Sequence, residues 1–128
     1  MTKVIVSEDC GNSPKNLLVE KTSIALARGD SKFLFDRVTD NIQWNVVGRR
    51  LIEGKENLTD ALEKIRKDKV AEIIIQHVST HGRAGAVNGT KKLENGKSFA
   101  FCDVYEFSGA KGTSIKGITS YVIGLRSD

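Results

Sequence analysis

The stretch that decides the fold is Lys97–Phe107, with the sequence KSFAFCDVYEF. Large apolar residues occupy every second position, and one acid lies among them: Phe99, Phe101, Asp103, Tyr105 and Phe107. Side chains of a β-strand alternate between the two faces of its sheet. The spacing therefore predicts a strand whose buried, aromatic face carries a carboxylate.

Strand-like sequence lies on both sides of this stretch. Glu72–Thr80 is rich in β-branched residues, and Arg83–Glu94 follows it. Asn95-Gly96 then leads into Lys97–Phe107, and Asn-Gly is typical of the tight turn of a β-hairpin. Ser114–Leu125 is predicted to be the last strand.

The first half of the chain is mainly helical in pattern. Ser13-Pro14 is typical of a helix start, and Gly29 is suited to the left-handed position that ends a helix. A short second helix is predicted after Asp30, and a third over Lys55–Lys67. One strand precedes the third helix, because Ile42, Trp44 and Val46 alternate with the polar residues Gln43 and Asn45.

Helices followed by a run of strands predict an α+β fold. We expect a cone-shaped, curved antiparallel sheet of four to six strands wrapped around three N-terminal helices. Residues 1–12 are expected to be an N-terminal segment, and residues 13–128 a single domain. A cone closed at one end by helices encloses a cavity, where small ligands usually bind.

Composition limits the class of protein. A chain of 128 residues, 39% hydrophobic and 28% charged, is typical of one soluble globular domain. No apolar run is long enough to cross a membrane or to act as a signal peptide, so we expect a cytoplasmic location and no membrane partner. Cys10 and Cys102 lack metal-ligand spacing and are expected to be free thiols.

The net charge of +4 does not indicate nucleic-acid binding. Arg49-Arg50, Lys64–Lys69 and Lys91-Lys92 are scattered, with acids between them. No aromatic-plus-basic RNA-binding motif or zinc finger is present. We expect the charge to serve solubility and predict no nucleic-acid partner.

Four segments together resemble the nuclear-transport-factor-2-like superfamily, and in particular its SnoaL-like bacterial branch. They are Ala27–Asp30, Val38–Gly48, Ile52–Lys55, and Phe101–Phe107 with the Tyr121-containing strand after it. The resemblance spans about residues 13–124 and implies the cone fold, with a small hydrophobic or amphipathic ligand in its cavity. It also implies a homodimer formed through the outer sheet face, which would include Ala100, Cys102 and Val104. No cofactor or metal is expected.

Two activities within this superfamily lack their residues here. Ketosteroid isomerase chemistry needs a carboxylate base, a tyrosine and a protonated aspartate; the first two positions fall near Asn45 and Thr22, and only Asp103 matches. The Asp-Arg-Asp set of limonene-epoxide hydrolase would fall near Val87, Gly89 and Ser120. Whether the chain is an enzyme is left open, with a non-catalytic homodimeric scaffold as the alternative.

The candidate site combines the predicted inner face with positions that the resemblance implies. Asp103 and His77 are the candidate catalytic residues, for acid/base chemistry in the cavity. The candidate ligand-binding residues are Trp44, Phe101, Tyr105, Tyr121 and Asn45.

Alternatives remain for three features. Asp103 is either a pocket acid with a raised pKa or a structural carboxylate that a histidine, tyrosine or arginine satisfies. His77 and His81 lack a third metal ligand, so acid/base or purely structural roles are left. The glycine-rich residues 82–89 indicate either a β-bulge that bends the sheet or an anion-binding loop.

Overall fold

The computed structural model describes residues 2–109 and 114–126 of the chain. Within them, three α-helices pack against one seven-stranded sheet. The helices are α1 (Pro14–Arg28), α2 (Ser31–Phe35) and α3 (Lys55–Arg66). The strands are β1 (Lys3–Val6), β2 (Val38–Val46), β3 (Arg50–Glu53), β4 (Val70–His81), β5 (Ala84–Leu93), β6 (Ser98–Phe107) and β7 (Ile115–Leu125).

The helix ends follow from local chemistry. Ser13 Oγ accepts a hydrogen bond from the backbone N–H of Asn16 at 3.2 Å, which caps α1 before Pro14. Gly29 ends α1 with φ of +74°, and a Cβ at this position would collide with the backbone of Leu62. Glycine is therefore required both by its conformation and by the close approach of α3. None of the described helices is both long enough and apolar enough to span a membrane.

The strands are ordered β1-β4-β5-β6-β7-β2-β3 in the sheet. The pairs β4–β5, β5–β6, β6–β7 and β2–β3 are antiparallel, whereas β1–β4 and β2–β7 are parallel. The α+β class, with helices against a curved sheet, is confirmed. The expected antiparallel sheet of four to six strands is corrected to seven strands with two parallel pairs among the described residues. Within the N-terminal segment expected over residues 1–12, Lys3–Val6 forms β1 and pairs with Glu72–Ile75 of β4.

The core lies between the helices and the concave face of the sheet. Its fully buried side chains include Val19 and Leu62 from the helices and Ile75, Tyr105 and Phe107 from the sheet. Alternate residues of β6 are buried, as the sequence pattern predicts. Asp103 therefore points toward the helices, with 4% of its surface exposed.

Candidate functional site

A cavity of about 300 Å³ lies between α1, the end of α3 and the concave face of the sheet. Much of its wall is apolar and includes Leu26, Trp44, Ile52, Phe101 and Val122. Two sets of polar side chains interrupt this wall. One set is buried and consists of Ser23, Asp103 and Ser120; the other lies nearer to solvent and consists of Arg49, Arg50, Asp68 and Lys91.

A hydrogen-bonded relay holds Asp103 in place. Asp103 of β6 lies directly opposite Ser120 of β7. Ser120 Oγ donates to Asp103 Oδ1 at 2.6 Å and accepts from Trp44 Nε1 at 2.8 Å. Because an indole N–H can only donate, the single proton of the Ser120 hydroxyl is directed at the carboxyl group. The donor to Asp103 is therefore a serine, not the histidine, tyrosine or arginine expected from the sequence.

The protonation of Asp103 is set by competing effects. Burial raises its pKa above the ordinary value of 3.8, because a charged carboxylate is poorly solvated inside the protein, and the balance of all effects places it at about 6. The hydroxyls of Ser120 and Ser23 and the positive charge of Lys91 act in the opposite direction. Asp103 therefore exchanges its proton near neutral pH, where a general acid or base is most effective.

A pair of hydrogen-bonded hydroxyl groups lies close to Asp103. Ser23 Oγ and the Tyr105 phenol are 2.5 Å apart and both are buried. Burial, followed by the negative charge of Asp103, raises the pKa of Tyr105 well above its ordinary value of 10. Tyr105 therefore keeps its proton and supports Ser23 from behind the cavity wall.

Lys91 is half-buried in β5, and its strand partner in β6 is Phe99. Its Nζ lies 5.7 Å from the centre of the Phe99 ring, within the range of a cation–π contact. Burial lowers the pKa of Lys91, and the charge of Arg49 lowers it further, whereas Asp103 and Asp68 raise it.

Some of the predicted site residues meet at the cavity. Asp103, Trp44 and Phe101 line it, and Tyr105 contacts it through Ser23. Ser23, Ser120 and Lys91 were not predicted as site residues. Ser120 could have been found from the sequence, because it is a polar residue at an inward-facing position of the strand, between Ile118 and Val122.

His77 does not lie in the cavity, contrary to our expectation. A register irregularity between Ile75 and His77 in β4 changes the alternation, so that Ile73, Ile75 and Val78 point inward. His77 is exposed on the outer face, where its Nδ1 lies 2.8 Å from Asn88 Oδ1. It cannot reach Asp103 across the sheet.

Asn45 and Tyr121 also lie outside the cavity. Asn45 is exposed between the inward-facing Trp44 and Val46, and Tyr121 is exposed between Ser120 and Val122. Alternation along the strand places both on the outer face. Neither residue lines the cavity in which we expected both to bind a ligand.

The glycine-rich segment 82–89 supplies a turn and a close contact. Gly82, with φ of +58°, lies in the turn between β4 and β5. The irregularity in the ladder lies in β4, opposite Asn88 and Gly89. A Cβ at Gly89 would collide with the carbonyl oxygen of Ile74 and lie 3.1 Å from Phe101 Cζ.

Within residues 2–109 and 114–126, no three His, Cys, Asp or Glu side chains are grouped to hold a metal ion.

Comparison with solved structures identifies the fold. An NTF2-like protein of unknown function from Cytophaga hutchinsonii ATCC 33406 superposes with a TM-score of 0.68 at 23% identity, over 84% of this chain and 97% of that one. SalBIII, an epoxide hydrolase/cyclase-like enzyme in pyran ring formation of the polyether salinomycin, gives 0.70 at 18% identity, over 85% and 90%. An LEH-like epoxide hydrolase from M. tuberculosis gives 0.62 at 22% identity, over 82% and 79%.

The chain thus has the nuclear-transport-factor-2-like fold that SnoaL-like proteins share. At these levels of identity the likeness defines the fold and not an activity. No protein-family model matches the sequence, and no curated protein matches it.

Proposed function

We propose that the chain binds a compact hydrophobic or amphipathic molecule in the cavity and exchanges a proton with it through Asp103. The observation that carries this proposal is a buried carboxyl group with a pKa of about 6 on the wall of an apolar cavity. Buried polar groups in an apolar pocket commonly orient a ligand by hydrogen bonding. Two proteins of the same fold, SalBIII and the M. tuberculosis protein, are described as enzymes of the epoxide hydrolase type.

The chemistry proposed for Asp103 is acid/base transfer and not epoxide hydrolysis. Ser120 stands where the second carboxylate of the hydrolase set was expected, and Val87 and Gly89 stand at its other positions. Protonated, Asp103 can donate to a ligand oxygen; ionised, it can accept a proton. The serine hydroxyls that face it would stabilise the ionised form during the transfer.

Trp44 makes binding directly measurable, because it is the only tryptophan and lines the cavity. We would titrate the protein with butanoate, hexanoate and octanoate and with their primary amides, and follow Trp44 emission. Members of this panel should bind, and Val46→Phe should abolish their binding by filling the cavity. Val47→Phe is the matched control, since Val47 is 42% exposed and does not line the cavity. Absence of binding by every member, or equal binding to the Val46→Phe variant, would disprove the cavity as the site.

Proton exchange has its own test. Calorimetric titration with octanamide near pH 6, in two buffers of different ionisation enthalpy, measures the protons taken up or released on binding. We expect net proton exchange that disappears in Asp103→Asn. Binding without any proton exchange in the wild-type protein would restrict Asp103 to a structural role.

A second candidate function is a homodimeric interaction module. The outer face of β6 and β7 is apolar and exposed, with Val104, Tyr121 and Ile123 on it; Ile123 is 65% exposed. Exposed apolar patches of this kind commonly mark protein interfaces. Light scattering at micromolar concentration should give the mass of a dimer, and Ile123→Lys should give that of a monomer. A wild-type monomer would rule out this alternative.

A further inference from the structure

The outer part of the cavity carries more positive than negative charge. Arg49 lies in the turn between β2 and β3, Arg50 is the first residue of β3, and Lys91 lies on β5. These three cations and Asp68, which follows α3, line the same cavity. This part of the wall thus carries three positive groups and one exposed carboxylate.

The cations of this set have no carboxylate partner among residues 2–109 and 114–126. The ion pairs there are Lys55–Asp40 and Lys116–Glu106, and both lie away from the cavity. Asp68 and Asp103 influence Lys91 through their charges, but neither lies within salt-bridge distance of it. An incoming anion would therefore not have to displace an internal partner.

Burial and neighbouring charges both act on Lys91. Burial lowers its pKa, Asp103 and Asp68 raise it, and Arg49 lowers it to a smaller extent. An anionic group between Arg49 and Lys91 would offset the burial of the Lys91 charge and its repulsion from Arg49, and weak screening in a partly enclosed cavity would strengthen the attraction. A guanidinium, moreover, can bind a carboxylate through two parallel hydrogen bonds.

The inner part of the cavity has the opposite character. Phe99 lies opposite Lys91, and the next inward-facing residues of β6 are Phe101 and then Asp103. A negative group placed there would face a carboxyl group that is mostly ionised at neutral pH, because its pKa is about 6. A ligand in this cavity would therefore lie with its anionic end outward and an uncharged part inward, toward Asp103.

We propose that the cavity selects amphipathic carboxylates, with the carboxylate held by Arg49, Arg50 and Lys91 and the apolar body against Phe99, Phe101 and Trp44. This inference rests on the proposed function, since it needs a ligand in the same cavity. It adds the chemical class of that ligand and the residues that determine it.

The experiment compares each carboxylate of the panel with its own primary amide, which has nearly the same size but no charge. At pH 7.5 in low salt, the wild-type protein should bind octanoate at least about tenfold more tightly than octanamide, a difference equivalent to one close charge interaction. Lys91→Met keeps an apolar stem of similar length, and Arg49→Gln/Arg50→Gln removes the other two charges. Each variant should weaken octanoate binding about tenfold and leave octanamide binding within about twofold.

Arg83→Gln is the matched control, because Arg83 lies on the outer side of the sheet and does not line the cavity. It should change the affinity for neither probe. Equal affinity of acid and amide in all proteins would overturn the anionic inference and leave the cavity proposal intact. If Val46→Phe bound neither octanoate nor octanamide, and the wild type bound octanoate more tightly than octanamide, both the cavity proposal and the anionic inference would be supported.

Discussion

Trp44 and Asp103 share one hydroxyl group: Ser120 Oγ accepts from the indole of Trp44 and donates to the carboxyl group of Asp103. The three residues come from β2, β7 and β6, which are adjacent in the sheet. An aromatic ring that lines the cavity is thereby coupled to the group proposed to exchange a proton there. The predictions below use this coupling.

Emission from Trp44 should titrate with the ionisation of Asp103. Because Trp44 is the only tryptophan, its fluorescence reports on this site alone. We expect a change in emission with a midpoint near pH 6, set by the raised pKa of Asp103. The change should disappear in Asp103→Asn.

Histidines titrate in the same pH range and need a control. Both histidines of the chain, His77 and His81, are exposed. The double variant His77→Asn/His81→Asn should keep the Trp44 transition. A transition that follows the histidines instead would refute the coupling.

Ser120→Ala should destabilise the protein and raise the pKa of Asp103 further above 6. The change leaves the buried Trp44 N–H without its acceptor and removes a donor that favours the ionised carboxyl group. We expect a loss of about 1–3 kcal/mol in the free energy of unfolding, measured by urea denaturation. Thr119→Ala, one residue away on the outer face, should change it by less than about 0.5 kcal/mol. Equal effects of the two substitutions would contradict the relay.

The position of Asp103 could be predicted from the sequence because β6 is regular. Its alternation runs without interruption from Phe99 to Phe107, and aromatic residues mark the buried side. Trp44 was placed by the same rule, within Ile42–Val46. Where the ladder is regular, burial of alternate side chains determines the orientation.

His77 shows where such reasoning fails. It follows Ile73 and Ile75 at the same two-residue spacing, so simple alternation places it on the inner face of the sheet. The irregularity between Ile75 and His77 moves its side chain to the outer face instead. Nothing local in the sequence of β4 marks that position; it is defined by pairing with β5, opposite Gly89. Strand β1 was missed for a related reason, since its four residues are all exposed and it is defined only by pairing with β4.

The free energy of unfolding should fall as the pH rises from about 4 to about 6. The unfolded chain releases the proton of Asp103 near pH 4, whereas the folded protein holds it to about pH 6. The folded state thus binds more protons in this window, and its stabilisation by Asp103 is lost as the pH rises through it. The loss from this group is about 3 kcal/mol and is complete above pH 6.

Asp103→Asn should remove this pH-dependent loss of stability. The variant should therefore be more stable than the wild-type protein at pH 7.5. Urea denaturation at closely spaced pH values measures the difference. Asp60→Asn, at an exposed position on α3, should keep the wild-type profile. If the free energy of unfolding of Asp103→Asn changed with pH in parallel with that of the wild type, ionisation of Asp103 would not destabilise the folded protein.

Gly89→Ala should destabilise the protein by about 2 kcal/mol or more, because the added methyl group has no space. It would collide with the carbonyl oxygen of Ile74 and press on the ring of Phe101, which lines the cavity. The substitution should therefore also weaken binding of the amide panel, as measured by Trp44 emission. Gly124→Ala in β7 is the matched control, since a Cβ there meets nothing within 4 Å and its φ lies outside the left-handed region. If both alanine variants were as stable as the wild type, the close approach of β4 and β5 at Gly89 would not constrain the sheet, and Phe101 would be free to move independently of it.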